Sequence, residues 1–80
     1  MKLLIVSPQK QEEYAIAWIE INTLDGNFVI QPGYATTTFI LAPDKSCIFC
    51  LKTGKKESIT PTHTSLLNVQ GDILTLLLNV

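Results

Sequence analysis

The sequence predicts an all-β domain, a sandwich or barrel of about eight short, mostly antiparallel strands. Three observations predict it. Short runs rich in β-branched and aromatic residues alternate along the chain, as at Asn27-Phe28-Val29-Ile30-Gln31, with the two-residue period of a strand. Turn signals separate these runs every eight to twelve residues or less, the spacing of sandwiches and barrels. No stretch with a helical period is framed by a cap and a C-terminal glycine.

Taken in order, Leu3 to Val6 is an apolar run closed by Ser7-Pro8, and Gln9 to Glu13 reads as a solvated polar segment. Tyr14 to Asn22 follows as a strand, with Ala15, Ala17, Ile19 and Ile21 on one face and Ile16, Trp18 and Glu20 on the other. Ile16, Ile19 and Glu20 also fit a 3.6-residue period, but the β-branched content favours the strand. A third strand, Asn27–Gln31, is clipped between Asp25-Gly26 and Pro32-Gly33, both turn dipeptides. Thr36–Leu41 is strand-like and ends at Ala42-Pro43-Asp44. Ser46–Lys52 alternates again, and Thr53-Gly54 turns it into Glu57–Thr60 before Pro61. Ser65–Val69 and Ile73–Leu78, joined around Gln70-Gly71-Asp72, form a last hairpin; the leucine-rich end also suits a helix but is short for one.

Eighty residues make one domain, 1–80, with no repeat or linker. A domain this small buries only roughly 60% of its unfolded surface, so it often leans on a partner. The chain is 46% hydrophobic and 16% charged, which agrees with part of its surface being covered by another protein. The six basic residues are all lysine, the net charge is −1 and no basic stripe exists, so nucleic-acid binding is not expected. No apolar run approaches a membrane span or a signal-peptide core, and the chain reads as cytoplasmic and soluble.

No constellation carries catalysis or a cofactor. Cys47-Ile48-Phe49-Cys50 has redox or half-zinc-site spacing, but in a strand the two side chains face opposite ways with Cα atoms about 10 Å apart. A disulfide needs under about 7 Å, and a zinc site needs about four ligands, of which only His63 could add nitrogen. Both cysteines read as small apolar strand residues. His63 sits in a polar turn with no orienting acid in view, and Glu12-Glu13 in a solvated stretch. The scattered glycines form no phosphate loop.

The central stretch Asp25-Gly26-Asn27-Phe28-Val29-Ile30-Gln31-Pro32-Gly33-Tyr34-Ala35-Thr36-Thr37-Thr38 resembles the N-terminal domain of the epsilon subunit of bacterial F-type ATP synthase, called delta in mitochondria. That family has an acidic-Gly-Glu loop followed by Gly-Ile-x-Pro-Gly-His-Ala-Pro-Leu-Leu. The opening Leu3-Leu4-Ile5-Val6-Ser7-Pro8, the landmark Leu41-Ala42-Pro43-Asp44 and the last hairpin, Ser65–Val69 with Ile73–Leu77, also resemble the family in order. Tyr34 stands for the family histidine and Asn27 for the loop acid. Thr36-Thr37-Thr38 replace Pro-Leu-Leu, Thr64-Ser65 the Gly-Gly pair, and Asp44 the glycine of Leu-Lys-Pro-Gly.

The resemblance implies a flattened β-sandwich of about eight to ten strands. It implies a non-catalytic rotor subunit of the central stalk of a proton- or sodium-translocating ATP synthase, linking the gamma subunit to the c-ring. Such a subunit lies peripherally at the cytoplasmic side of the inner (plasma) membrane, without inserting into lipid. One side of the sandwich would bind gamma, and the acidic loop end would touch the c-ring. The candidate interface residues are Asp25, Asn27, Gln31, Pro32, Gly33, Tyr34 and Trp18. The family's C-terminal helical hairpin, which inhibits ATP hydrolysis, is expected to be absent, since the chain reaches only Val80. Two other readings stand beside this one: a free-standing β-module that binds some other protein, and a metal or redox protein using Cys47 and Cys50.

Overall fold

The computed structural model describes residues 1–78 of the chain; the expected end of the sandwich at Val80 lies outside the described residues. Eight strands follow one another: β1 (Lys2–Val6), β2 (Gln11–Thr23), β3 (Gly26–Ile30), β4 (Thr37–Leu41), β5 (Cys47–Leu51), β6 (Lys56–Ile59), β7 (Ser65–Gln70) and β8 (Ile73–Leu77). Among the described residues there is no helix, so the helical readings of 12–21 and of the leucine-rich end both fail. All strand pairings are antiparallel except β1 with β8. The body measures 28 × 28 × 20 Å, a flattened all-β sandwich.

The architecture turns on β2. Its first part pairs with β1, its last part with β3, and its middle with β5. Ile16 N–H donates to the Met1 carbonyl, while the Ala15 carbonyl accepts from Lys52 N–H, so β1 and β5 lie on opposite edges. One layer is thus β3-β2-β5-β6. The other runs from β2 through β1, β8 and β7 to β4, which returns to β2 at the single pair Thr23–Leu41.

The inward residues of the two layers form one core. Cross-strand rows make it up: Ile30–Ile19–Phe49 in one layer, and Leu3–Leu74–Val69 and Ile5–Leu76–Leu67 in the other. All nine side chains are buried. Leucine and isoleucine placed at every second position of neighbouring strands dictate these rows, because a one-residue slip would turn each row to solvent.

Two expectations are corrected. Gln9–Glu13 is not wholly a solvated loop, since β2 already begins at Gln11: Glu12 and Glu13 sit opposite Ile5 and Leu4 of β1. Nor does strict alternation hold through β2. Ile16, Ile19 and Ile21 are all buried, while Ala17 and Trp18 are half-buried. The register against β5 shifts between Ile16 and Trp18, a bulge in which Ala17 is the extra residue. The Leu41-Ala42-Pro43-Asp44 turn is made without glycine. Asp44 has φ of 64°, a left-handed conformation that aspartate tolerates better than most residues, and its N–H donates to the Pro61 carbonyl at 2.7 Å.

Deleting Ala17 leaves Ile16, Ile19 and Ile21 in strict alternation and Ile16–Leu51 and Trp18–Cys50 as successive pairs. Deletion is therefore expected to cost less than Ile19→Ala, which empties the centre of the core at about 2–5 kcal/mol. Urea unfolding of the two variants, compared at equal slope, checks the order.

Candidate interface surfaces

The candidate residues fall in three places. Asp25 lies in the exposed turn between β2 and β3, held by Thr23: Asp25 N–H donates to Thr23 Oγ1 at 3.0 Å and that hydroxyl donates to the Gly26 carbonyl at 3.1 Å. Gln31, Pro32, Gly33 and Tyr34 form the turn at the other end of β3, closed by Tyr34 N–H donating to the Gln31 carbonyl at 3.2 Å. Proline at its second position and Gly33 at φ 89° are what a type II turn requires. The five residues of β3 separate the two turns by about 17 Å at ~3.3 Å per residue. The turns therefore lie at opposite ends of β3.

Trp18 and Asn27 share the third place, the outer face of the β3-β2-β5-β6 layer. The bulge sends Trp18, Glu20 and Asn22 outward once Ile19 and Ile21 point in. The Asn27 amide donates to Glu20 Oε2 at 2.9 Å and to Asn22 Oδ1 at 3.1 Å, and the Asn22 amide donates to the Ser46 carbonyl. Asn27 thus ties β3 to β2. Trp18 is half-buried, in the row Trp18–Cys50–Lys56, with the Lys56 ammonium 5.8 Å from its ring centroid. It is a wall of the sheet's outer face as much as an exposed anchor.

Tyr34 is half-buried and packs its ring 6.0 Å from Phe39, whose ring lies 5.2 Å from Phe28. The aromatic chain marks a groove that the sequence did not reveal. Leu24, Asp25 and Phe28 form one wall, and Thr38, Phe39 and Ile40 the other, around about 410 Å³. Leu24 is 83% exposed and Ile40 56% exposed at its rim. Sequence alone missed it because its walls come from separate strands; Ile40 in a threonine-rich run was the available signal.

The residues weighed for chemistry stand apart from one another. Cys47 and Cys50 are free, buried and three positions apart in one strand, Cys47 toward the core and Cys50 under the Trp18 row. Burial pushes the Cys47 thiol up, against a smaller lowering by a backbone hydrogen bond from Asn22. His63 lies in the exposed β6–β7 loop, with Nδ1 3.0 Å from the Thr62 hydroxyl. Glu12 and Glu13 are neighbours on opposite faces. The Tyr14 hydroxyl donates to Glu12 at 2.6 Å, which holds that carboxyl below its usual range and the Tyr14 phenol above its own. Glu13 pairs with Lys2 at 3.5 Å. No group of three metal-ligating side chains occurs among the described residues.

The fold is a flattened β-sandwich with an open groove beside β4. No family model and no curated protein matches the chain. Solved structures do. A chain of the Euglena gracilis mitochondrial ATP synthase OSCP/F1/c-ring assembly superposes with a TM-score of 0.80 at 21% identity, over 95% of this chain and 48% of that one. A chain of the Tetrahymena thermophila mitochondrial ATP synthase central stalk/c-ring assembly gives 0.81 at 14% identity, over 98% and 62% respectively. The chain thus shares the fold of ATP synthase central-stalk and c-ring assembly chains, and spans about half to three-fifths of their length.

A raised Cys47 pKa leaves little thiolate near neutrality, and both thiols are covered. Thiol reagents at pH 8 are expected to label both cysteines only as fast as the protein opens, and at full rate in denaturant. Labelling kinetics followed by mass spectrometry check this.

Proposed function

We propose that this chain is a non-catalytic rotor subunit of an F-type ATP synthase, carried between the gamma subunit and the c-ring. The observation that supports it most is the likeness in fold to central-stalk and c-ring assembly chains over 95–98% of the chain. The family-like order of Asp25-Gly26, Pro32-Gly33 and the Leu41–Asp44 turn points the same way. A torque-bearing element must be stiff, and a closely packed sandwich core resists deformation. Among the described residues no helix is long and apolar enough to cross a membrane. The rotor reading itself carries the chain peripherally, through its partners, on the cytoplasmic side.

In this reading the Asp25 turn faces the c-ring. Gamma takes one side of the sandwich, where the outer face with Trp18 or the Tyr34 turn supplies anchors. Asn27, engaged with Glu20 and Asn22, keeps the β2–β3 turn in shape instead of supplying charge. Asp25 is then the only carboxylate within the turn itself, so the electrostatic part of that contact is small.

Affinity purification of the tagged chain from its native membranes is expected to recover gamma and the c-ring; recovery of neither removes the rotor reading. Asp25→Ala is expected to weaken recovery by a factor of at most about five, as for an exposed ion pair. Gly33→Val is expected to do more harm. A Cβ at Gly33 meets no atom within 4 Å, and a side chain there strains the left-handed backbone by about 1–2 kcal/mol.

A further inference from the structure

We propose that the groove beside the Asp25 turn receives an extended peptide strand, which adds to the open edge of β4 and sets a lysine or arginine against Asp25. This goes beyond the rotor reading and does not rest on it.

The argument starts from the backbone. On one edge β4 pairs with β7 along its whole length; on the other it meets β2 at the single pair Thr23–Leu41. Ala42 N–H donates to the Asn22 carbonyl, toward β2. In an extended strand the alternate residues Thr38 and Ile40 turn their N–H and C=O groups to that same side. Among the described residues no strand runs there. Such a row of unpaired donors and acceptors is a template for another strand.

Edges are usually blunted by charge, proline or a bulge. The β6 edge carries Lys56 and Glu57, with Pro61 just beyond. The segment Thr37–Leu41 has no charge, proline or bulge within it, and Pro43-Asp44 lie beyond its end. Instead the space in front of it is a groove of about 410 Å³, inside the range of about 300–1,000 Å³ for ligand clefts. The Phe28 and Phe39 rings, 5.2 Å apart, line it, and Leu24 and Ile40 project at its rim. Strand addition uses this combination, with main-chain bonds along the edge and apolar seats for alternate side chains.

Charge selects the occupant. Asp25 is the one charged residue lining the groove, and among the described residues no ion pair involves it. A strand with a basic residue at that end completes it, whereas an acidic strand is repelled. A second copy docking β4 against β4 brings only the uncharged Thr37–Leu41 and leaves Asp25 unmatched.

The test uses the full chain, labelled with nitrogen-15, and three synthetic peptides: an alternating valine–threonine octapeptide ending in lysine, its twin methylated on alternate backbone nitrogens, and its twin ending in glutamate. The lysine peptide is expected to shift the Thr38 and Ile40 amide signals and to slow their hydrogen exchange about ten-fold or more. The methylated twin is expected to do neither. The glutamate twin should bind about two- to five-fold more weakly, and Asp25→Asn should remove that difference. Shifts that survive methylation, shifts confined to the β3 or β6 edge, or no shift at millimolar peptide overturn the proposal. Thr38 and Ile40 shifts that grow with protein concentration alone also overturn it, by making the occupant a second copy.

Discussion

The structure depends on one strand being shared. β2 is 13 residues long where the others are four to six, and it belongs to both layers of the sandwich. Its middle residue in the core, Ile19, stands between Ile30 and Phe49, so three strands meet through one buried side chain. With unbroken alternation along β2, Ile16 would face away from Ile19 and Ile21. The bulge at Ala17 resolves the conflict by bending the strand and adding one residue, which returns Ile19 and Ile21 to the side already taken by Ile16. The same step turns Trp18, Glu20 and Asn22 outward. The outer face and the core are therefore consequences of one local irregularity.

Most of the fold was legible in the sequence. Alternation and turn residues placed all eight strands, because most strands bury one face and several turns use a positive dihedral that glycine supplies, as at Gly26, Gly33, Gly54 and Gly71. The bulge was not legible. Ile16, Ile19 and Glu20 fit a helical period, while Ile16, Ile19 and Ile21 fit a strand with one residue too many, and only pairing with β5 distinguishes them. The polar start of β2 was hidden for a related reason. Gln11 to Glu13 are held by backbone bonds to β1, which leave no trace in side-chain hydropathy.

The candidate surfaces were legible as residues but not as a geometry. Asp25 and the Pro32-Gly33 turn are close in sequence, yet β3 holds them apart at its two ends. Asn27 was legible as a candidate contact residue without charge, but not the hydrogen bonds by which its amide fastens β3 to β2 through Glu20 and Asn22. The groove beside β4 combines Leu24 and Phe28 with Phe39 and Ile40, and no local pattern joins those two segments. What the sequence did carry was the scarcity of charge, 16% of residues, and the structure concentrates part of that apolar surface at Leu24 and Ile40.

If β2 is the element on which the rest is assembled, its middle must be the last part to open. Native-state hydrogen exchange measures this directly. The amides of Ile19 and Ile21 are expected to exchange only through global unfolding, with the same free energy as urea denaturation, while those of the edge strand β6 exchange through smaller openings. Ile19 and Ile21 amides that exchange as readily as those of Lys56–Ile59 would contradict the account and put the organising element elsewhere in the sandwich.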